Sequence, residues 1–189
     1  MISPQTSLLK PFKVWCDFFD GHGWTVFQKR FNGSVDFYRS WNEYEDGFGS
    51  ITGEHWLGLD KLHAITQTNR KLNVLVKDAN GHAKSGTWLS FFIGDSVDKY
   101  RLHVSNAGYT GTLSSTGLDW HNNMQFTTKD RDNDMTSDNC SARYHGAWWY
   151  KNCHRSNLNG QYNGYRFSGV WWYGFSDDLR QTVMKVTRD

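Results

Sequence analysis

Asp130-Arg131-Asp132-Asn133-Asp134 sets oxygen-bearing side chains at alternating positions, the spacing with which a loop wraps a hard cation that needs several oxygens at about 2.3–2.6 Å. It is not an EF-hand, because Met135 stands where that loop requires its glycine and no glutamate follows at the twelfth position. Cys140, His145, Cys153 and His154 form a second candidate group. Thiolates and imidazoles suit a tetrahedral zinc ion, but the spacing lacks a Cys-x2-Cys or His-x3-His knuckle. A Cys140–Cys153 disulfide is the simpler expectation: it would close a short loop in an oxidising compartment and stabilise the fold by about 2–4 kcal/mol. Cys16 is then left over from the three cysteines. Nothing points to hydrolysis: there is no Gly-x-Ser-x-Gly, no His-Glu-x-x-His and no placed carboxylate pair, so the chain reads as a non-enzyme.

These groups fall in a stretch that must be held by elements elsewhere. Pro11 to Trp15 and Gly23 to Phe31 read as two strands of a hairpin, with Asp20-Gly21-His22-Gly23 supplying the positive-φ turn. Ser40 to Phe48 carries an N-cap serine, Glu43 three residues on and a glycine stop, which predicts a short helix. Leu57, Leu59, Leu62 and Ile65 predict a second one, beginning near Gly58 or Asp60. Leu72 to Val76, Gly86 to Ile93 and Tyr100 to Ser105 are strand candidates for a central antiparallel sheet, and Val183 to Val186 for a last strand. From Gly117 to Trp172 the chain is dominated by Asn, Asp, Gly and Trp, as in a loop-rich functional region. Trp171, Trp172 and Tyr173 are consecutive, so they cannot all face one side of a strand, and at least one is expected at the surface or in a pocket.

Composition bounds the rest. With 189 residues and no Pro-rich or low-complexity linker, one domain over residues 1–189 is expected. Ten Trp, nine Tyr and twelve Phe coexist with a strongly negative mean hydropathy, which suits short strands, long polar loops and exposed aromatic surfaces. The 21 basic and 19 acidic residues nearly balance and form no block, which argues against nucleic acid as a partner. No apolar run is long enough to cross a bilayer, so membrane insertion is not expected. Asn32-Gly33-Ser34 fits the N-glycosylation pattern.

Several ordered blocks together resemble the fibrinogen C-terminal domain family. They are Phe12 to Asp17, Gly23 to Gln28, Gly33 to Trp41, Gly47-Phe48-Gly49, Gly53 to Gly58, Asp98 to Leu102, Met124 to Thr128 and Gly146 to His154. The resemblance spans nearly the whole chain and implies an α+β fold, with a central twisted, mainly antiparallel sheet, short helices and a loop-rich calcium-binding subdomain. It implies Ca²⁺ held by the carboxylates of Asp132 and Asp134 and the backbone carbonyls of Thr136 and Asp138, together with waters. It further implies a ligand site at Tyr144, Asn152, Cys153 and His154, with a cis peptide bond at Asn152-Cys153-His154 that turns the N–H groups of Cys153 and His154 toward a ligand carbonyl, and Tyr144 as an aromatic wall.

The expected function is therefore a secreted, extracellular recognition domain for acetylated glycans or microbial surface polysaccharides, a pattern-recognition lectin. The alternative is a matrix or receptor-ligand module that binds proteins, as in tenascins and angiopoietins. Two departures from the family bear on this choice. The upstream cysteine that would bond Cys16 is missing, so the domain's start, a signal peptide and an oligomerising stem are expected outside this sequence. The loop at Gln161 to Trp172 is shortened, with Arg166-Phe167-Ser168-Gly169 where acetyl-binding relatives carry Tyr-Ala-Asp-Gly. Tyr165 or Phe167 is expected to replace that wall.

Overall fold

The structure is a computed structural model that describes residues 9–19 and 21–187. The chain opens with a hairpin of β1 (Trp15–Phe19) and β2 (His22–Arg30), followed by α1 (Trp41–Asp46), β3 (Phe48–Gly49), β4 (His55–Trp56) and α2 (Leu59–Thr66). Then come β5 (Arg70–Asp78), β6 (Ala83–Ile93), β7 (Leu102–Ser105), β8 (Thr110–Gly111) and α3 (Thr116–Asp119). The final third holds α4 (Cys140–Tyr144), β9 (Ser156–Asn157), a 3₁₀ turn at Arg166–Ser168, β10 (Trp171–Trp172) and β11 (Leu179–Thr187).

The main sheet runs β3-β4-β2-β11-β5-β6-β7, with β1 on β2 and β8 on β6, and every pairing is antiparallel. The hairpin differs from its expected position. Its first strand lies at Trp15–Phe19 because the turn is a tight two-residue connection, with Gly21 at φ +72°, that pairs Phe19 with His22. The last strand is longer than Val183 to Val186 and sits in the middle of the sheet, between β2 and β5. Its Thr182, Met184 and Val186 are buried on the core side.

The first two helices form where predicted. Glu43 Oε2 accepts the Ser40 N–H at 2.9 Å and its hydroxyl at 2.7 Å, and Gly47 ends α1 at φ +93° by donating its N–H to the Glu43 carbonyl. The core then closes on five fully buried tryptophans: Trp56, Trp88, Trp148, Trp149 and Trp172. Four of them pair their indole N–H: Trp56 with the Tyr44 carbonyl, Trp88 with Asp119, Trp149 with the Tyr100 carbonyl and Trp172 with the Ser114 carbonyl. Large rings thus enter the core without leaving those donors unpaired.

Glu54 fixes the turn after β2. Its Oε1 accepts N–H from Phe31, Asn32 and Gly33 at 2.7, 2.8 and 2.8 Å, and its Oε2 accepts from Val35 at 3.0 Å. Burial alone would raise this carboxyl; the four backbone donors outweigh it and bring Glu54 below the usual range. In Glu54→Gln an amide NH₂ must face N–H groups that need an acceptor. Urea denaturation should show a loss of about 2 kcal/mol, and an unchanged midpoint would refute this role.

Candidate ligand-binding site

The acidic loop separates into two roles. Asp130 Oδ1 accepts the Trp41 N–H at 2.9 Å and the Thr128 hydroxyl at 2.8 Å, so this carboxylate anchors the loop to the start of α1. Asp134 Oδ1 accepts the N–H and hydroxyl of Thr136 at 2.8 and 2.9 Å, and its Oδ2 accepts the Cys140 N–H at 2.8 Å. Asp132 Oδ1 takes the Asp134 N–H at 3.1 Å, and the Asp138 carbonyl accepts the Thr136 hydroxyl. Burial raises the Asp134 carboxyl, opposed by its Cys140 and Thr136 donors and reinforced by the neighbouring Asp132 charge. Two mutually repelling carboxylates beside backbone carbonyls make an oxygen-only donor set, which suits a hard divalent cation. Among the described residues no three His, Cys, Asp or Glu side chains converge on one point, so a cation here would depend on those carbonyls and on water.

The zinc reading of the second group is excluded by bonding. Cys140 and Cys153 form a disulfide, with their Cα atoms 5.7 Å apart, while Cys16 is a free thiol on β1. The bridge ties the first residue of α4 to the loop that carries His154. Asn139 caps the same helix by accepting the Ala142 N–H at 3.0 Å, and its amide donates to the Thr128 carbonyl at 3.0 Å. His145 ends the helix in the left-handed region at φ +49°.

Tyr144, at the last turn of α4, meets His154 nearly edge-on, with ring centroids 4.5 Å apart and planes at 83°. His154 also touches Tyr150 at 5.5 Å and Trp171 at 5.4 Å, and Phe167 stands across Trp171 at 5.0 Å. The indole N–H of Trp171 donates to His154 Nδ1 at 2.8 Å. An indole can only donate, so Nδ1 must be bare and the imidazole proton sits on Nε2, which has no acceptor among the described residues. Desolvation by burial holds His154 neutral, with its pKa lowered to about 3. The N–H groups of Cys153 and His154 also find no acceptor among the described residues.

The expected cis bond is not formed: among the described residues every peptide bond is trans. A trans turn suffices here, closed by the Lys151 N–H donating to the Cys153 carbonyl at 2.8 Å. The structure brings Tyr144, Cys153, His154 and Phe167 together, with Trp171 as the ring that joins the last two. Asn152 lies exposed at the corner of the turn. Tyr165 stays outside this chain of rings, 76% exposed beneath the Arg166 guanidinium. Of the three consecutive aromatics, Trp172 is core, Trp171 is nearly buried against His154 and Tyr173 is 45% exposed.

The sequence matches the model of the family described as fibrinogen beta and gamma chains, C-terminal globular domain, over residues 1–188. The chain belongs to the fibrinogen C-terminal domain family. This fibrinogen-like domain is 46% identical over 191 residues to fibrinogen C domain-containing protein 1-A of Xenopus laevis, covering 93% of the chain and 41% of that relative. It is 51% identical over 158 residues to the human fibrinogen C domain-containing protein 1, covering 80% and 34%. The chain thus spans well under half the length of these curated relatives. Among solved structures, the fibrinogen-like globe of human ANGPTL2 superposes with a TM-score of 0.90 at 38% identity, covering 98% of this chain and 89% of that one. A lamprey fibrin D-dimer, solved with the peptide Gly-His-Arg-Pro-amide, superposes with a TM-score of 0.85 at 31% identity, covering 94% and 65%.

Proposed function

We propose that this fibrinogen-like domain is a non-catalytic extracellular recognition module that captures an amide carbonyl of its ligand beside the Tyr144–His154–Trp171 rings. The observation that carries this reading is the pair of uncommitted N–H groups on Cys153 and His154, in the turn fixed by the disulfide and next to an aromatic wall. Backbone donors that no group among the described residues uses suit a neutral carbonyl, and the adjoining rings suit the apolar part of the same ligand.

Two ligand classes present that chemistry. A polypeptide partner is favoured by the comparisons, since the ligand named with the lamprey fibrin fragment is a peptide. The shortened loop with its exposed Phe167, in place of a closed pocket wall, favours the same class. An acetylated glycan is the second reading, favoured by the Tyr144–His154 contact, where an acetyl methyl buried on Tyr144 would gain about 1 kcal/mol. In both readings Ca²⁺ held by Asp132 and Asp134 and by the carbonyls of Thr136 and Asp138 would stiffen the loop that leads into α4. One shallow face binds weakly, so useful avidity requires several linked copies.

The test is a binding titration of the folded domain with N-acetylglucosamine, acetylated albumin and a peptide library, with Ca²⁺ and after chelation, in wild type and Tyr144→Ala. Peptide binding that resists free N-acetylglucosamine and weakens about tenfold in Tyr144→Ala establishes the first reading. Competition by the free sugar establishes the second. Binding that ignores both Tyr144→Ala and chelation would overturn the site and the calcium role together.

A further inference from the structure

Next along the chain from His154, Arg155 packs elsewhere. Its guanidinium carbon lies 4.1 Å from the centroid of Trp120 and 5.1 Å from that of Tyr173. Lys151 shares the same indole, with its ammonium 4.7 Å from the ring centroid. Among the described residues neither cation has a carboxylate partner, and no protein acceptor takes the side-chain donors of either. The backbone holds this arrangement firmly. The Arg155 N–H donates to His121 Nε2 at 3.1 Å, His121 Nδ1 donates to the Trp149 carbonyl at 2.7 Å, and the Tyr173 N–H donates to the Arg155 carbonyl at 2.9 Å.

We propose that Arg155 and Lys151, gathered on Trp120, form a seat for an oxyanion of the ligand, a carboxylate or a sulfate ester. Two like charges gathered on one ring without a counter-charge repel each other, and a bound anion relieves that repulsion. Aromatic contacts orient a guanidinium while its N–H edge stays free, and that planar fork matches a carboxylate or sulfate with two parallel hydrogen bonds. The half-exposed Tyr173 adds a ring face beside the charges for the body of such a ligand. The two cations also help to keep the buried His121 neutral. This seat goes beyond the amide site: it uses none of Tyr144, His154 and Phe167 and does not require that site to exist.

Calorimetric titration of the whole domain with a heparin-derived hexasaccharide, an oligogalacturonate and an oligoglutamate peptide tests it. Wild type should bind at least one of these probes, more weakly as salt rises. Arg155→Gln should lose at least tenfold in affinity with its thermal midpoint unchanged, Arg155→Lys should fall between the two, and Lys13→Gln should match wild type. Binding of the sulfated probe alone assigns the seat to a sulfate ester. Binding of the oligogalacturonate or the oligoglutamate assigns it to a carboxylate, on a sugar or a peptide respectively. No binding of any probe, wild-type affinity in Arg155→Gln, or an equal loss in Lys13→Gln would overturn the proposal.

Discussion

Lowering the pH from 7 to 5 should cost the fold about 4 kcal/mol, read as a drop in the free energy of unfolding in urea. Two histidines set this figure, the buried His121 and the partly buried His154; His55, whose pKa burial also lowers, acts in the same direction. Burial holds His121 neutral with its pKa lowered to about 3, its bond to the Trp149 carbonyl opposing that shift and the charges of Lys151 and Arg155 adding to it. His154 lies at about the same value, mainly through desolvation. Both titrate near 6.5 once unfolded. Their contribution is complete above pH 6.5 and is lost as the pH falls from there toward 3, because only the unfolded chain takes up the protons. Each histidine accounts for about 1.4 kcal/mol per pH unit, so the pair loses about 2 kcal/mol each by pH 5. His154→Gln, which cannot titrate, should show roughly half the slope. Stability that stays flat between pH 6.5 and 5 would mean that these rings are hydrated and protonated in the folded protein.

Most of the scaffold was legible because short-range chemistry decides it. The capping box at Ser40 and Glu43 and the apolar spacing of α2 are local patterns, and the structure keeps both. The placement of β11 was not legible in the same way. A strand at the end of a chain gives no local sign that it will be inserted between β2 and β5, because that depends on which edges remain unpaired when it arrives. The first strand was misplaced for a narrower reason: Gly23 was counted in the turn, whereas Gly21 takes a positive φ there and Gly23 pairs with Phe18.

The site was legible in pieces. Cys140 and Cys153 announced a bridge, and Tyr144, His154 and Phe167 do stand along one chain of rings. Trp171 links them, and its only signal was the run of three aromatics, which marks a change of facing without saying which ring turns where. The grouping of Trp120, Lys151, Arg155 and Tyr173 left no spacing to read, since its members come from three separate segments that meet only in the fold. Asp130 shows the converse limit: it shares the alternation of Asp132 and Asp134, yet tertiary contact with the Trp41 N–H gives it a different task.

Arg30→Met should lower the unfolding free energy by about 3 kcal/mol and loosen the binding face without touching it. Arg30 is 2% exposed, at the end of β2, and Nη1 donates to the carbonyls of Gly160 and, at 3.4 Å, Leu158. Its guanidinium carbon lies 4.1 Å from the Phe37 ring centroid, and burial lowers its pKa to about 10, with Glu54 among the groups that oppose the shift. Gln28 on the same strand reinforces the tie: its amide donates to the Leu158 carbonyl at 3.1 Å and Asn159 Oδ1 at 3.2 Å, and its oxygen accepts from Thr182 on β11 at 2.9 Å. The centre of the sheet therefore reaches out and holds residues 158–160, just after the turn that presents His154 and Arg155. Methionine keeps much of the side chain's volume but leaves the Gly160 carbonyl without its donor, while the Leu158 carbonyl keeps only Gln28, and the relief of an expensive buried charge offsets only part of that loss. Amide hydrogen exchange should rise locally at Gly160 and Gln161, and ligand affinity should fall although Arg30 touches no ligand. If exchange there matches wild type while stability falls, Arg30 serves only the core, and the binding face draws its rigidity from the disulfide and α4.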